Sequence, residues 1–476
     1  MKLKTLAAMV TLLSLVGCGG SSGDGKSAQG PKISEMTFSD PGLKQCVLDA
    51  GVTYAHELKV LFCEEKGLTD VSSLQYFPNL HALELRDNAI EQIDLSTLTE
   101  LEWLTLSGNL LSSLDLSRNT KLAGITVDNN LLTSLDVSQN PDLLSIGAVN
   151  NRLSALDVTH NAKLTHLDLD ANANTIATID LTGNPQLESL GMSGNQLESI
   201  DLSANTKLKE LDLTDNKLTT VSLKFNLQLE DVTLDTNQIT TLDLSANPKL
   251  TRVSASSNAL TEIDVSKSTA LKDLLLADNQ LTTIDLSQNR QLEWLLLRDN
   301  QITDIDLSQN SLLKTLAISA NPLNAIDVGQ NPKLESIFLH ADTLNYPLSG
   351  LTAINLSQNV LLKDLIISGH SLDSLDLSQN ANLEYLSAGS NNLLTIDLQH
   401  NPKLTTVNLE GNQLATIDVS QQRMLSWLQV SSNQLTDINL DQNPKLVSVT
   451  ATLNPLSEPT KTYLDALVER GVQVTY

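Results

Sequence analysis

Apolar residues recur from Leu58 onward in a fixed pattern. The stretch 292–310, LEWLLLRDNQITDIDLSQN, reads LxxLxLxxNxLxxIDLSxN, and two residues later Leu313 opens the pattern again. Nineteen such units open between Leu58 and Leu446, nearly all 21 residues apart; the first step is 22, the one from Leu164 is 23 and the one from Leu334 is 28. Counting the opening leucine as position one, positions four and six are apolar and three and five are free. This alternation predicts a short strand with one face inward. The Asn at position nine predicts a turn whose amide serves backbone groups. The later I-D-L alternates again and predicts a second short extended segment on the opposite side of each coil. No unit can bury its own leucines, so the units must stack. At roughly 4.8 Å per strand the stack is about 90 Å long.

Open solenoid ends need covers. Ser39-Asp40-Pro41 predicts a helix start, since Pro is favoured in the first turn, with the helix running through Ala50 and carrying Cys46. After Glu458-Pro459 an amphipathic stretch with Tyr463, Leu464, Leu467 and Val468 predicts a second helix, and residues 472–474 a last strand. The expected organisation is a leader at 1–17, a tether at 18–33, an N-terminal cap at 34–57, the solenoid at 58–456 and a C-terminal cap at 457–476.

The leader has Lys2 and Lys4 before an apolar run at 6–16, too short for a permanent span, which needs about 20 residues. It ends in Leu15-Val16-Gly17-Cys18, which resembles a bacterial lipobox. The resemblance implies that Cys18 is lipidated and becomes the mature N-terminus, followed by a Gly/Ser-rich tether. A plain secretory signal is the alternative. In an exported, oxidising setting the remaining Cys46 and Cys63 are expected as a disulfide tying the cap to the first coil, with two free buried thiols as the alternative.

The LxxLxLxxN motif, repeated over residues 58–456, resembles the leucine-rich repeats, and the 21-residue form with LDLSxN looks like the short bacterial repeats of internalin J-type proteins. In those a Cys often stands where this chain has Val127 or Leu297; here only Cys63 does. With no LPxTG-like wall anchor near the C-terminus, the anchoring resembles that of Gram-negative lipoproteins, on the outer membrane. The resemblance implies a curved solenoid of α/β repeat type dominated by β structure. The parallel sheet takes the concave face, short second strands the convex side, and small helical caps the ends. It also implies binding of a protein or a glycan without catalysis.

Composition narrows the chemistry. Aromatics are 3% and the formal charge is −26, which opposes nucleic-acid binding and suits a basic partner or a divalent cation. No P-loop, GxSxG or HExxH is present, so no enzyme is expected and no cofactor, calcium excepted. The histidines, His56, His81, His160, His166, His340, His370 and His400, fall in different coils, mostly at exposed or turn positions. Fourteen aspartates, from Asp94 to Asp418, share the D of I-D-L, with Ser222, Asn355 and Asn439 breaking the row. Stacked carboxylates repel, so solvent, local hydrogen bonds or calcium must offset them.

Two candidate sites fall on the sheet face. Trp103, Trp294 and Trp427 all occupy position three, as does Tyr385, and Trp and Tyr are typical interface anchors. Position five, elsewhere mostly polar or tiny, reads Leu275, Leu296, Ala317, Phe338 and Ile366 in successive units. This apolar stripe, with Trp294 and Tyr385 flanking it and Arg298 and His340 at its rim, is the expected partner-contact patch. The insertion around Asn345-Tyr346-Pro347-Leu348 is its candidate wall. The second candidate is an acidic stretch for a basic partner or calcium: Asp168, Asp170, Asp212, Asp231 and Asp235, with Glu188, Glu210, Asp215 and Glu230, among which Lys209 is the one base at an outward strand position. The expected function is envelope binding of a protein or glycan, with the membrane touched only through the lipid. A structural spacer without one ligand and a calcium-stabilised surface adhesin are the alternatives.

Overall fold

A computed structural model describes residues 31–170, 173–341 and 350–476. The leader, Cys18 and the segment holding Asn345, Tyr346, Pro347 and Leu348 lie outside the described residues.

Each of the nineteen units contributes one three-residue strand at positions three to five, from β1 (Val60–Phe62) to β19 (Ser448–Thr450), and β20 (Gln473–Thr475) closes the sheet. Every strand pairs in parallel with the next in sequence, and equal positions face one another: Trp294 opposite Thr315, Leu295 opposite Leu316, Leu296 opposite Ala317. Position four is buried throughout, as at Leu274, Leu295 and Leu316, and so are the leucines at positions one and six, except the partly buried Leu446 of the last coil. The core is therefore one aliphatic column along the solenoid axis, which explains how so few aromatics suffice.

The turn after each strand has two parts. Position eight is left-handed, with φ of 54° at Asn129 and 68° at Gly108, a region open to Gly, Asn and Asp and costly for most others. The Asn at position nine then points inward. Asn130 Nδ2 donates to the Leu106 and Val127 carbonyls at 2.9 and 3.0 Å, and its Oδ1 accepts the Leu111 amide at 3.1 Å. Each such Asn thus ties its own turn to the preceding coil.

The opposite side differs from the expected second strands. Among the described residues it carries only one isolated bridge, Asp243 with Asp264. The reason lies in a second row of asparagines, the N of LSxN, which is fully buried. Asn119 Nδ2 donates to Leu95 and Leu98 carbonyls of the preceding coil at 3.0 and 2.8 Å, and Asn140 to Leu116 and Asn119 carbonyls at 3.2 and 2.9 Å. Side chains occupy carbonyls that a ladder would otherwise use. The coils are thus paired as strands on one side and bridged by side chains on the other.

The ends are covered as the sequence predicts. Helix α1 (Pro41–Asp49) starts under Asp40, whose carboxylate accepts the Gly42 amide at 2.8 Å. Helix α2 (Glu458–Glu469) is capped by Ser457 and buries Leu464 and Leu467, while Val468 stays half exposed. Cys46 of α1 and Cys63 of the first coil form a disulfide, their Cα atoms 5.6 Å apart.

Candidate functional site on the sheet face

The apolar stripe is continuous. Leu275, Leu296, Ala317, Phe338 and Ile366 stand opposite one another in a single register row, each strand paired with the next. Each is half-buried rather than fully exposed, because neighbours in the same row cover its flanks. Trp294 at position three is 51% exposed beside them. Arg298 and His340 are exposed, and Arg298 is paired with Asp299 at 3.2 Å. Tyr385 lies next to Asp364 in the register. It also lines a hollow of about 350 Å³ with Trp427, Asn408 and Gln429.

The three tryptophans are not equivalent. Trp427 is as exposed as Trp294, but Trp103 is half-buried with its six-membered ring over Gly124, where a Cβ would come within 2.2 Å of the ring. A hollow of about 450 Å³ opens there on the sheet face, among Trp103, Gly124, Thr126, Gly147, His166 and Asp168. Sequence reasoning missed it because it looked for large residues. The signal was subtraction: glycine at outward strand positions of two successive coils.

The acidic stretch divides into separate environments. Burial pushes the Asp168 carboxyl up from its ordinary value, and burial together with the Asp168 charge pushes Asp170 up to about 6. Asp170 accepts the Ser193 amide at 2.8 Å. Asp235 is held by the Ser254 hydroxyl at 2.7 Å and the Ser256 amide at 2.6 Å. Burial raises Asp231 too, against the opposing effect of Arg252, whose Nε lies 3.7 Å away; this second base was overlooked. Lys209 pairs with Glu188 at 2.7 Å. Among the described residues no three His, Cys, Asp or Glu side chains converge as a metal site.

The aspartate row resolves into local bonds. All fourteen accept the amide two residues on, Asp94 from Ser96 and Asp306 from Ser308 at 2.9 and 2.8 Å. Asn355 and Asn439 accept the same bond at 3.0 Å, so the position needs an acceptor, not a charge. Hydrogen bonds from the Ser96 hydroxyl and amide hold Asp94 below the usual carboxylate range.

Among the histidines His370 departs from expectation, being 8% exposed. It occupies position nine of its unit, where most other coils carry Asn.

The sequence model described as "Leucine Rich repeats (2 copies)" matches residues 185–225. No curated protein matches the chain. Among solved structures it is similar to the functional domain of InlJ from Listeria monocytogenes, described as including a cysteine ladder. Identity is 26% and the TM-score 0.57, with 89% of this chain and 82% of that one covered. A leucine-rich-repeat protein of Leptospira interrogans is 22% identical with a TM-score of 0.61, over 86% of this chain and 99% of that one. YopM from Yersinia enterocolitica is 20% identical with a TM-score of 0.56, over 96% and 97%. The chain is a leucine-rich-repeat solenoid. It has no cysteine ladder among the described residues, whose two cysteines are bonded to each other.

Proposed function

We propose that this chain is an exported lipoprotein, anchored through Cys18 to the outer membrane of a Gram-negative envelope, that holds a protein or glycan partner on its sheet face and performs no catalysis. The anchoring rests on Leu15-Val16-Gly17-Cys18 in the sequence. The binding reading rests on one observation above all. Five adjacent coils align Leu275, Leu296, Ala317, Phe338 and Ile366 in one row beside a half-exposed Trp294, and apolar surface gathered in one place is stable when something covers it. Leucine-rich-repeat scaffolds commonly serve protein binding, and this face offers anchors for it. In this reading the lipid is the contact with the membrane; among the described residues no helix is long and apolar enough to cross one.

A photo-cross-linking residue placed at Phe338, and separately at Ser308 on the opposite side, tests the reading in the native cells. Adducts of one defined mass from position 338 and none from 308 support it. No adduct from 338, or the same adducts from both, refutes it. Fractionation of Cys18→Ser tests the anchor: release of the protein from membranes is expected, and unchanged membrane association counts against it.

A further inference from the structure

The position-five row changes chemistry at one strand boundary. After Ile366 it continues as Ser387, Asn408, Gln429 and Thr450, each opposite the next. Position three of the same strands reads Tyr385, Thr406, Trp427 and Ser448. Tyr385 and Trp427 therefore stand two strand spacings apart, about 10 Å, with the short Thr406 between them. They are the aromatic walls of the hollow of about 350 Å³, a volume within the range of pre-formed ligand sites. Trp427 is 51% exposed there. It projects from the same face of its strand as Gln429, two residues on.

One residue, Glu410, orients both amides of the hollow. Its backbone amide donates to Asn408 Oδ1 at 3.0 Å, and its carboxylate accepts from Gln429 Nε2. Asn408 is thereby left with Nδ2 as a donor and Gln429 with Oε1 as an acceptor, and among the described residues neither atom has a partner. The two side chains are neighbours in the register row, about 5 Å apart. A hydroxyl group both donates and accepts, so one hydroxyl seated between them would satisfy both. Thr406, Ser448 and Thr450 add further hydroxyls to the lining. In a chain with a formal charge of −26, none of the described residues lining this hollow is Asp, Glu, Lys or Arg. A charged ligand would find no counter-ion there, and an apolar one would bury the two amides unpaired, which is costly. A sugar ring meets both demands. Its C–H face packs flat on an aromatic face, and its edge carries hydroxyls.

We propose that this hollow binds a neutral saccharide, with one pyranose ring stacked on the Trp427 indole, its hydroxyls between Asn408 and Gln429, and the chain continuing past Thr406 toward Tyr385. The proposal rests on the sheet-face reading above and names the ligand class of this part of the face. Glu410 acts through the two amides and is a positioning residue.

The test uses the full chain with Trp103→Phe and Trp294→Phe, which leaves Trp427 as the sole tryptophan, and reads its fluorescence during titration with cellotetraose, maltotetraose and chitotetraose. A sulfated heparin tetrasaccharide is titrated alongside. A saturable response to at least one of the neutral tetrasaccharides is expected, at least tenfold weaker with the sulfated one and weakened at least tenfold by Asn408→Leu or Gln429→Leu. Glu410→Ala should weaken it severalfold, and Glu410→Gln, which keeps an acceptor for Gln429, should restore it. Should the leucine variants fail to fold, Thr406→Arg fills the space between the aromatic walls and should abolish the response. The absence of saturation by all three neutral sugars overturns the proposal, as does equal affinity for the sulfated one or an unchanged response in the variants. A protein adduct from a photo-cross-linking residue at Ser448 that keeps its mass on enzymatic deglycosylation assigns the hollow to a polypeptide and overturns it too. The titration does not depend on Phe338, so its failure beside successful capture at Phe338 removes the saccharide and leaves the sheet-face reading in place.

Discussion

The Nδ1 atom of His370 accepts the Leu351 amide at 3.2 Å, the bond that an asparagine Oδ1 accepts in the coils around it, as Asn391 does from Leu372 at 3.1 Å. Its Nε2 donates to the Leu339 carbonyl. A neutral imidazole with one donor and one acceptor thus stands in for a side-chain amide. It does so in the coil that follows the 28-residue step.

That substitution makes one turn sensitive to pH. Burial lowers the His370 pKa, the hydrogen bond to Leu339 opposes this, and the nearby His340 adds a smaller lowering. A depressed folded-state pKa means the unfolded chain binds the proton first. Stability is then complete above the ordinary histidine value near 6.5 and falls as pH drops below it, by up to about 1.4 kcal/mol per pH unit until the folded-state pKa is reached. Protonation would also turn Nδ1 into a donor facing the Leu351 donor. His370→Asn should flatten this slope, and amide exchange of Leu351 between pH 7 and 5 is the measurement. An equal slope in both proteins would show that another group titrates.

The disulfide acts locally. It closes a loop of 17 residues, for which chain entropy implies about 3 kcal/mol. Because each coil touches mainly its neighbours, Cys46→Ser with Cys63→Ser should open the cap and first coil and leave later coils unchanged. Hydrogen exchange resolves this: faster exchange confined to residues before about Leu101 is expected, and uniform acceleration along the chain contradicts it.

Thr236 is exposed and left-handed, with φ of 56°. A β-branched residue is strained there, whereas position eight in some other coils is glycine, as at Gly194 and Gly411. Thr236→Gly should stabilise by roughly 1 kcal/mol, strain relief outweighing the added freedom of the unfolded chain. Chemical denaturation checks the sign; a lower midpoint would mean that the threonine is not strained.

Much of this was legible because a repeat states its geometry many times. The leucines of 292–297 gave the strand, its inward face and its register, and Asp40-Pro41 gave the first helix. What escaped was whatever a single side chain decides. His370 read as one more surface histidine, although its offset from Leu362 equals that of Asn391 from Leu383. The expected second strands did not form because Asn119 and its counterparts take carbonyls of the preceding coil, a competition that alternation of apolar residues cannot reveal. The hollow at Gly124 and Gly147 depends on atoms that are missing, and a search for large residues passes over it.

The division between core and contact row makes the sharpest claim about register. Leu295 and Leu296 are adjacent, yet the first is fully buried and the second half-buried on the sheet face. Truncating Leu295 to Ala empties space inside the aliphatic column and should cost about 2–5 kcal/mol. Phe338→Ala and Trp294→Ala remove atoms that face outward, leave no enclosed cavity and should cost about 1 kcal/mol or less. Denaturation midpoints of the three variants decide the matter. If Phe338→Ala is as damaging as Leu295→Ala, the stripe belongs to the core and cannot be a contact surface. If it is mild, loss of the partner in that variant reports on binding, because the fold beneath it has not changed.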